Sequence, residues 1–178
     1  EQEQIRRNAL VELKRLGISG MRNTEMIINN DKKETVTGYH NSDYGQQEVI
    51  EIGYKDNPVV SKWAQDLQKA GDAFVPVSIG QKEIKKWDKY RRALGYKEDP
   101  GMAKAKAIYY YSYSIGLGAI SVSTWQALEE DELKILERFR NVFKLSYQRY
   151  IDIARAEEQA REAKIEAALE RVRSKTMA

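Results

Sequence analysis

KAIYYYSYSIGLGAISVSTW, residues 106–125, is the stretch that decides the fold. It is rich in Tyr, Ile, Val, Ser and Thr, residues that fit a pleated, half-buried surface. Gly116 and Gly118 interrupt it, which predicts two strands joined as a hairpin. Four tyrosines, Tyr109, Tyr110, Tyr111 and Tyr113, crowd the first strand, and alternate residues point to opposite faces. One face joins a core. The other either packs in the same way or lines a pocket, where tyrosine offers an apolar body and a polar tip.

Working outward, residues 81–94 read as a helix with Ile84, Trp87, Tyr90, Arg91 and Leu94 along one side, stopped by Gly95. Lys97 to Gly101 is a polar loop. Val75, Val77 and Ile79 make a short strand ending at Gly80. Asn57-Pro58 is a helix start, with Asn as N-cap and Pro at the first position. Val59, Val60, Trp63, Leu67 and Ala70 give that helix its apolar face, and Gly71 ends it. Further upstream the period falls to two. Thr24, Met26 and Ile28 alternate, then Thr35, Thr37 and Tyr39, then Ile50, Ile52 and Tyr54. Asn29 to Asp31 and Asn41 to Gly45 are turn clusters, so three antiparallel strands are expected. Residues 1–16 read as a helix on Ile5, Ala9, Leu13 and Leu16, stopped by Gly17. The order α-β-β-β-α-β-α-β-β-α predicts an α+β domain, an antiparallel sheet of about six strands flanked by helices.

From Asp131 onward there is neither Gly nor Pro, which predicts one helix to the end of the chain. Its first part carries a broad apolar face: Leu133, Leu136, Phe139, Val142, Phe143, Tyr147, Tyr150 and Ile151. After Ile153 the composition shifts to Ala, Glu, Arg and Lys. There Ile165, Leu169, Val172 and Thr176 are spaced by four, three and four, a heptad-like seam. The expected division is a domain at 1–150 and a projecting helix at 151–178, which pairs with a second copy in a coiled coil or stands alone in solvent. The seam is interrupted by charge between Arg155 and Glu162.

Composition excludes several functions. The 178 residues contain no cysteine, which removes disulfides, thiol catalysis and cysteine metal sites. It also suits a reducing compartment, so a cytoplasmic location is expected. Charged residues make up 32%, consistent with a long solvated helix, and 30 basic against 27 acidic residues give +3. That balance does not argue for nucleic acid. No apolar run approaches the ~18–20 residues that span a bilayer. The opening EQEQIRRN and the stop within a helical pattern read as cuts in a longer protein.

LERVRSKTMA at 169–178, preceded by ARAEEQAREAKIEAA at 154–168, resembles the linker helix of Bacteroidetes-type sensor histidine kinases, which follows a GAF-like sensor domain. ILERFRNVFKLSYQRYIDIARAEE at 135–158 resembles the end of that domain. YYYSYSIGLGAISV at 109–122 resembles its last hairpin. The resemblance covers roughly 108–178; upstream it is topological. It implies a GAF-like fold, a homodimer through the C-terminal helix, and a module of a two-component system that passes a signal to a kinase output. The kinase itself is not expected in these residues. They contain neither a Gly-rich nucleotide lid nor a P-loop, and Gly116-Leu117-Gly118 reads as a turn. The motif of cyclic-nucleotide-binding GAF domains is also missing.

In that fold class the two middle helices cover the cavity side of the sheet. The candidate ligand site is therefore Trp63, Trp87, Tyr111 and Tyr113, with ordinary core packing as the alternative. The relay residues are Ile165, Leu169, Val172 and Thr176. His40, the single histidine, is followed by Asn41 and Ser42 at a strand end, which does not suit a phosphoacceptor; it reads as an exposed or hydrogen-bonded strand residue. QKEIKKWDKYRR at 81–92 is the one basic patch, either a solvated helix face or a surface for an anion or RNA. One histidine, no cysteine and scattered carboxylates make no convergent catalytic set, so no enzyme, metal or cofactor is expected. The other function in view is a ligand-free dimerisation scaffold.

Overall fold

A computed structural model describes residues 11–42, 48–70, 74–116 and 118–176. Asn41 and Ser42, expected to open a turn, instead finish a strand; the rest of that turn, Asp43 to Gly45, the stop at Gly71, Leu117, and most of the first expected helix lie outside these residues. So do the side chains of Tyr150, Ile151 and Thr176. Residues 11–15 are helical.

Six strands follow the expected order: β1 (Met21–Asn30), β2 (Thr35–Ser42), β3 (Glu48–Gly53), β4 (Phe74–Gly80), β5 (Ala107–Ser114) and β6 (Gly118–Thr124). They form one sheet in the order β3-β2-β1-β6-β5-β4, and every neighbouring pair is antiparallel. The helices are α1 (Pro58–Ala70), α2 (Gln81–Ala93) and α3 (Glu130–Thr176). The chain is α+β, as its sequence pattern predicts.

Local chemistry sets the helix ends. Asn57 caps α1, its Oδ1 accepting from Val59 N–H at 2.8 Å. Helix α2 closes in a Schellman turn. Gly95 takes φ of 99°, a conformation that side chains disfavour, and Tyr96 N–H donates back to the Arg91 carbonyl at 3.2 Å. That turn folds Tyr96 over the last residues of the helix.

The sheet has two distinct faces. Helices α1 and α2 pack against β4 and β5 on one of them. There Ile27, Val36, Leu67, Val75 and Ala119 form one buried cluster, and Ile79, Ile84, Met102 and Ile108 form another. The opposite face carries Met26, Tyr111, Tyr113, Ile120 and Val122, all buried. The Tyr111 hydroxyl accepts from Leu128 N–H at 2.9 Å, which brings the connection before α3 to that side. The outer strand β4 contains Pro76, paired with Tyr111 of β5. Proline supplies no N–H and is tolerated in sheets mainly at such edges.

Two compact units divide after Arg138, within α3 and N-terminal to the break in composition. The first holds the sheet, α1 and α2. The second begins at Phe139. In it Phe139, Phe143 and Tyr147 stack at successive turns, with centroids 6.5 and 6.3 Å apart. The 47 residues of α3 run about 70 Å at 1.5 Å per residue. Ile165, Leu169 and Val172 are 52%, 55% and 63% exposed. No helix among the described residues is long and apolar enough to cross a membrane.

Candidate functional site

Between the sheet and helices α1 and α2 lies a cavity of about 90 Å³. At ~15 Å³ for each water position, that is room for roughly six waters or one small organic group. Its walls come from every element of the first unit that faces the helices. Ile27, Val36, Ile52, Val59, Val60 and Val77 supply apolar surface, with Trp63 from α1 and Trp87 from α2.

Both indoles are fixed by β5. Trp63 Nε1–H donates to Ser112 Oγ at 2.9 Å, and Trp87 Nε1–H donates to the Tyr110 hydroxyl at 2.8 Å. Ser112 and Ser121 meet across β5 and β6 at 2.9 Å. The inward tyrosine of β5 is therefore Tyr110. Tyr111 and Tyr113 stand on the other face, where Tyr111 anchors Leu128. Of the four aromatic residues singled out from the sequence, the structure brings Trp63 and Trp87 together on the cavity wall and places Tyr111 and Tyr113 away from it.

A chain of buried polar groups borders one side. Register shifts between Met21 and Asn23, and this bulge in β1 re-aims Arg22. Arg22 Nε donates to Asp99 Oδ2 at 2.6 Å, with both side chains sealed from solvent at 0% and 1% exposure. Arg22 Nη1 reaches Ser123 Oγ at 3.1 Å. Ser123 Oγ donates to Asn23 Oδ1, so the Asn23 amide is turned to donate to His40 Nδ1 at 2.9 Å. The network thus assigns the imidazole proton to Nε2. His40 is 1% exposed. Burial, reinforced by the positive charges of Arg91 and Arg22, brings its pKa from 6.5 down to about 3, so it is neutral at physiological pH.

Tyr96 packs edge-on against His40, centroids 5.5 Å apart, and donates to Glu25 Oε1 at 2.9 Å. Burial and the Glu25 carboxylate push the Tyr96 hydroxyl well above the ordinary phenol range. Gly38, across β1 and β2, makes room for this contact: a Cβ there would collide with the Glu25 carboxylate.

Arg91 completes the wall. It is 4% exposed, and its guanidinium carbon lies 4.5 Å from the Tyr96 ring centroid. Its Nη1 is buried without a hydrogen-bond partner, as is the hydroxyl of Tyr90, which also lines the cavity. Burial, then the Asp56 carboxylate, raises the Tyr90 pKa. The basic stretch 81–92 is therefore split. Lys82, Lys85, Lys86 and Lys89 are exposed, Arg92 pairs with Asp88 at 2.7 Å, and Arg91 faces inward. Helical spacing already places Arg91 with Ile84 and Trp87, whereas grouping by charge hides it among the lysines. Nothing local in the sequence marks Arg22, Asp99 or Glu25.

Among the described residues there is no cluster of three or more His, Asp or Glu able to hold a metal. What the arrangement offers is a small apolar chamber with one donor-rich corner. In comparisons with known proteins, no family model matches the chain and no curated protein matches it.

Proposed function

We propose that this chain is a sensory and dimerising relay module of a bacterial two-component signalling protein in the cytoplasm. In this reading a GAF-like domain senses a small molecule, and α3 passes the signal to a downstream kinase-type output. The observation that carries it is the unbroken helix Glu130–Thr176 continuing from a domain with a cavity between its sheet and helices. The resemblance of residues 154–178 to kinase linker helices supports it.

The relay half has a physical basis. Ile165, Leu169 and Val172 lie on one stripe and remain about half exposed or more. Burying each against a second copy is worth about 1.5–3 kcal/mol for full burial. With Leu169 and Val172 at the two core positions of a heptad, Arg161 and Glu166 take the flanking positions that meet across a parallel, in-register pair. Arg161 of one copy then faces Glu166 of the other, twice in the symmetric dimer.

Sedimentation equilibrium of the chain tests the reading. The expected result is a concentration-dependent dimer that Leu169→Glu abolishes without changing the helical circular dichroism of the sheet domain's melt. A strict monomer at high micromolar concentration counts against it.

A further inference from the structure

We propose that the cavity between the sheet and helices α1 and α2 takes a small uncharged molecule, a branched alcohol or ketone of a few carbons, whose oxygen accepts from the Tyr90 hydroxyl. This names the ligand class and so rests on the sensory reading above.

The charges around the cavity decide the charge of the ligand. Arg22 and Arg91 bring two positive charges to its wall. The Glu25 carboxylate lines the same wall, and Asp99 holds Arg22 in a sealed pair at 2.6 Å. Tyr96 joins Glu25 and Arg91: its hydroxyl donates to Glu25 at 2.9 Å, and its ring centroid lies 4.5 Å from the Arg91 guanidinium carbon. His40 is neutral at physiological pH. Two positive and two negative charges balance. An ion of either sign would therefore enter without a counter-charge, which is strongly unfavourable among apolar walls. The Asp56 carboxylate, which acts on the Tyr90 hydroxyl, further disfavours an anion there.

The polar demand of the wall is small and of one kind. The Trp63 and Trp87 N–H groups and the Ser112 and Ser121 hydroxyls are already engaged, so the indoles offer apolar ring surface. Tyr90 lines the cavity beside Trp87, centroids 5.5 Å apart, and its hydroxyl is buried without a hydrogen-bond partner. A buried donor left unmade loses its hydration with no return. An uncharged ligand oxygen supplies the acceptor and brings no charge with it. The 90 Å³ chamber, against about 150 Å³ for an engineered cavity that holds benzene, limits the body to a few carbons.

The test is tryptophan fluorescence of the full chain at pH 7, titrated with 3-methyl-1-butanol. Isovalerate and protonated 3-methylbutylamine carry the same branched body with a negative or a positive end. A saturable response to the alcohol is expected, at least tenfold weaker for either ion. Tyr90→Phe should weaken the alcohol about three- to tenfold, the worth of one hydrogen bond, while melting without ligand at or above the wild-type temperature. Glu25→Gln keeps an oxygen for Tyr96 but drops a negative charge, so it should narrow the preference for the alcohol over isovalerate. The proposal is overturned by either ion binding the wild type as tightly as the alcohol, by unchanged alcohol affinity in Tyr90→Phe, or by an undiminished preference in a folded Glu25→Gln. Each of those leaves the sensory reading standing, since a small molecule still binds. No response to the alcohol also overturns it; if the chain still dimerises, a ligand-free scaffold is what survives.

Discussion

Arg91 and Tyr96 are joined twice: the guanidinium carbon sits 4.5 Å from the ring centroid, and the Tyr96 N–H returns to the Arg91 carbonyl at 3.2 Å. The six residues from Arg91 to Tyr96 therefore fix the donor-rich corner of the cavity as a unit. The left-handed Gly95 makes that return possible.

Gly95→Ala should lower stability by about 1 kcal/mol, since a Cβ is disfavoured at that backbone angle while the space beside it is adequate. Urea denaturation monitored by circular dichroism measures this. An unchanged midpoint would show that the turn does not depend on glycine.

His40 makes folding pH-dependent. The unfolded imidazole titrates near 6.5 and the folded one near 3. Between those values the unfolded chain binds the extra proton, so the stabilisation is complete above the unfolded value and is lost as pH falls. The loss from pH 7 to pH 5 should be about 2 kcal/mol from this group. His40→Asn should be less stable at pH 7 yet show a flatter stability profile over that interval. An equally steep profile in the variant would assign the pH dependence to other groups.

Asp99→Asn leaves Arg22 buried with a neutral partner, and Asp99→Ala removes the partner altogether. The alanine variant should lose about 3–5 kcal/mol, the usual consequence of stranding one half of a buried ion pair. Replacing both, as Arg22→Met with Asp99→Leu, should recover much of that loss. Thermal melts of the single and double variants decide it: equal losses in both would mean that the pair contributes through packing alone.

Glu166→Lys sets like charges beside Arg161 at both flanks of the proposed helix pair. Exchanging two weak attractions for two weak repulsions should raise the dimer dissociation constant roughly tenfold at low salt. Arg161→Glu combined with Glu166→Lys should restore it. Sedimentation equilibrium at two salt concentrations checks both, and indifference to either variant would argue against the parallel, in-register arrangement.

The contrast between α1 and β5 shows what the sequence makes legible. Asn57 and Pro58 announce α1 because capping is settled within three residues, and the structure holds that cap. The hairpin is equally plain in its composition, yet its phase is not. With tyrosines at 109, 110, 111 and 113, both faces of β5 look alike. Whether Tyr110 or Tyr111 turns toward the helices depends on pairing with distant strands: Tyr111 lies opposite Val122, and Tyr110 opposite Ser123. Arg22 and Asp99 are a still harder case, because a bulge and a loop 77 residues apart must meet before either residue has a role. His40 is read from sequence as a strand residue, exposed or hydrogen-bonded. Its seclusion becomes visible only once Asn23 and Tyr96 surround it.

The position of Pro76 bears on solubility. An open sheet grows when a foreign strand finds a free row of donors and acceptors along its margin. On β4 that row is broken in mid-strand, where proline has no hydrogen to offer. The opposite margin, β3, is only six residues long and carries Glu51. Neither end makes a good template, so strand-by-strand polymerisation is discouraged even when the protein is concentrated.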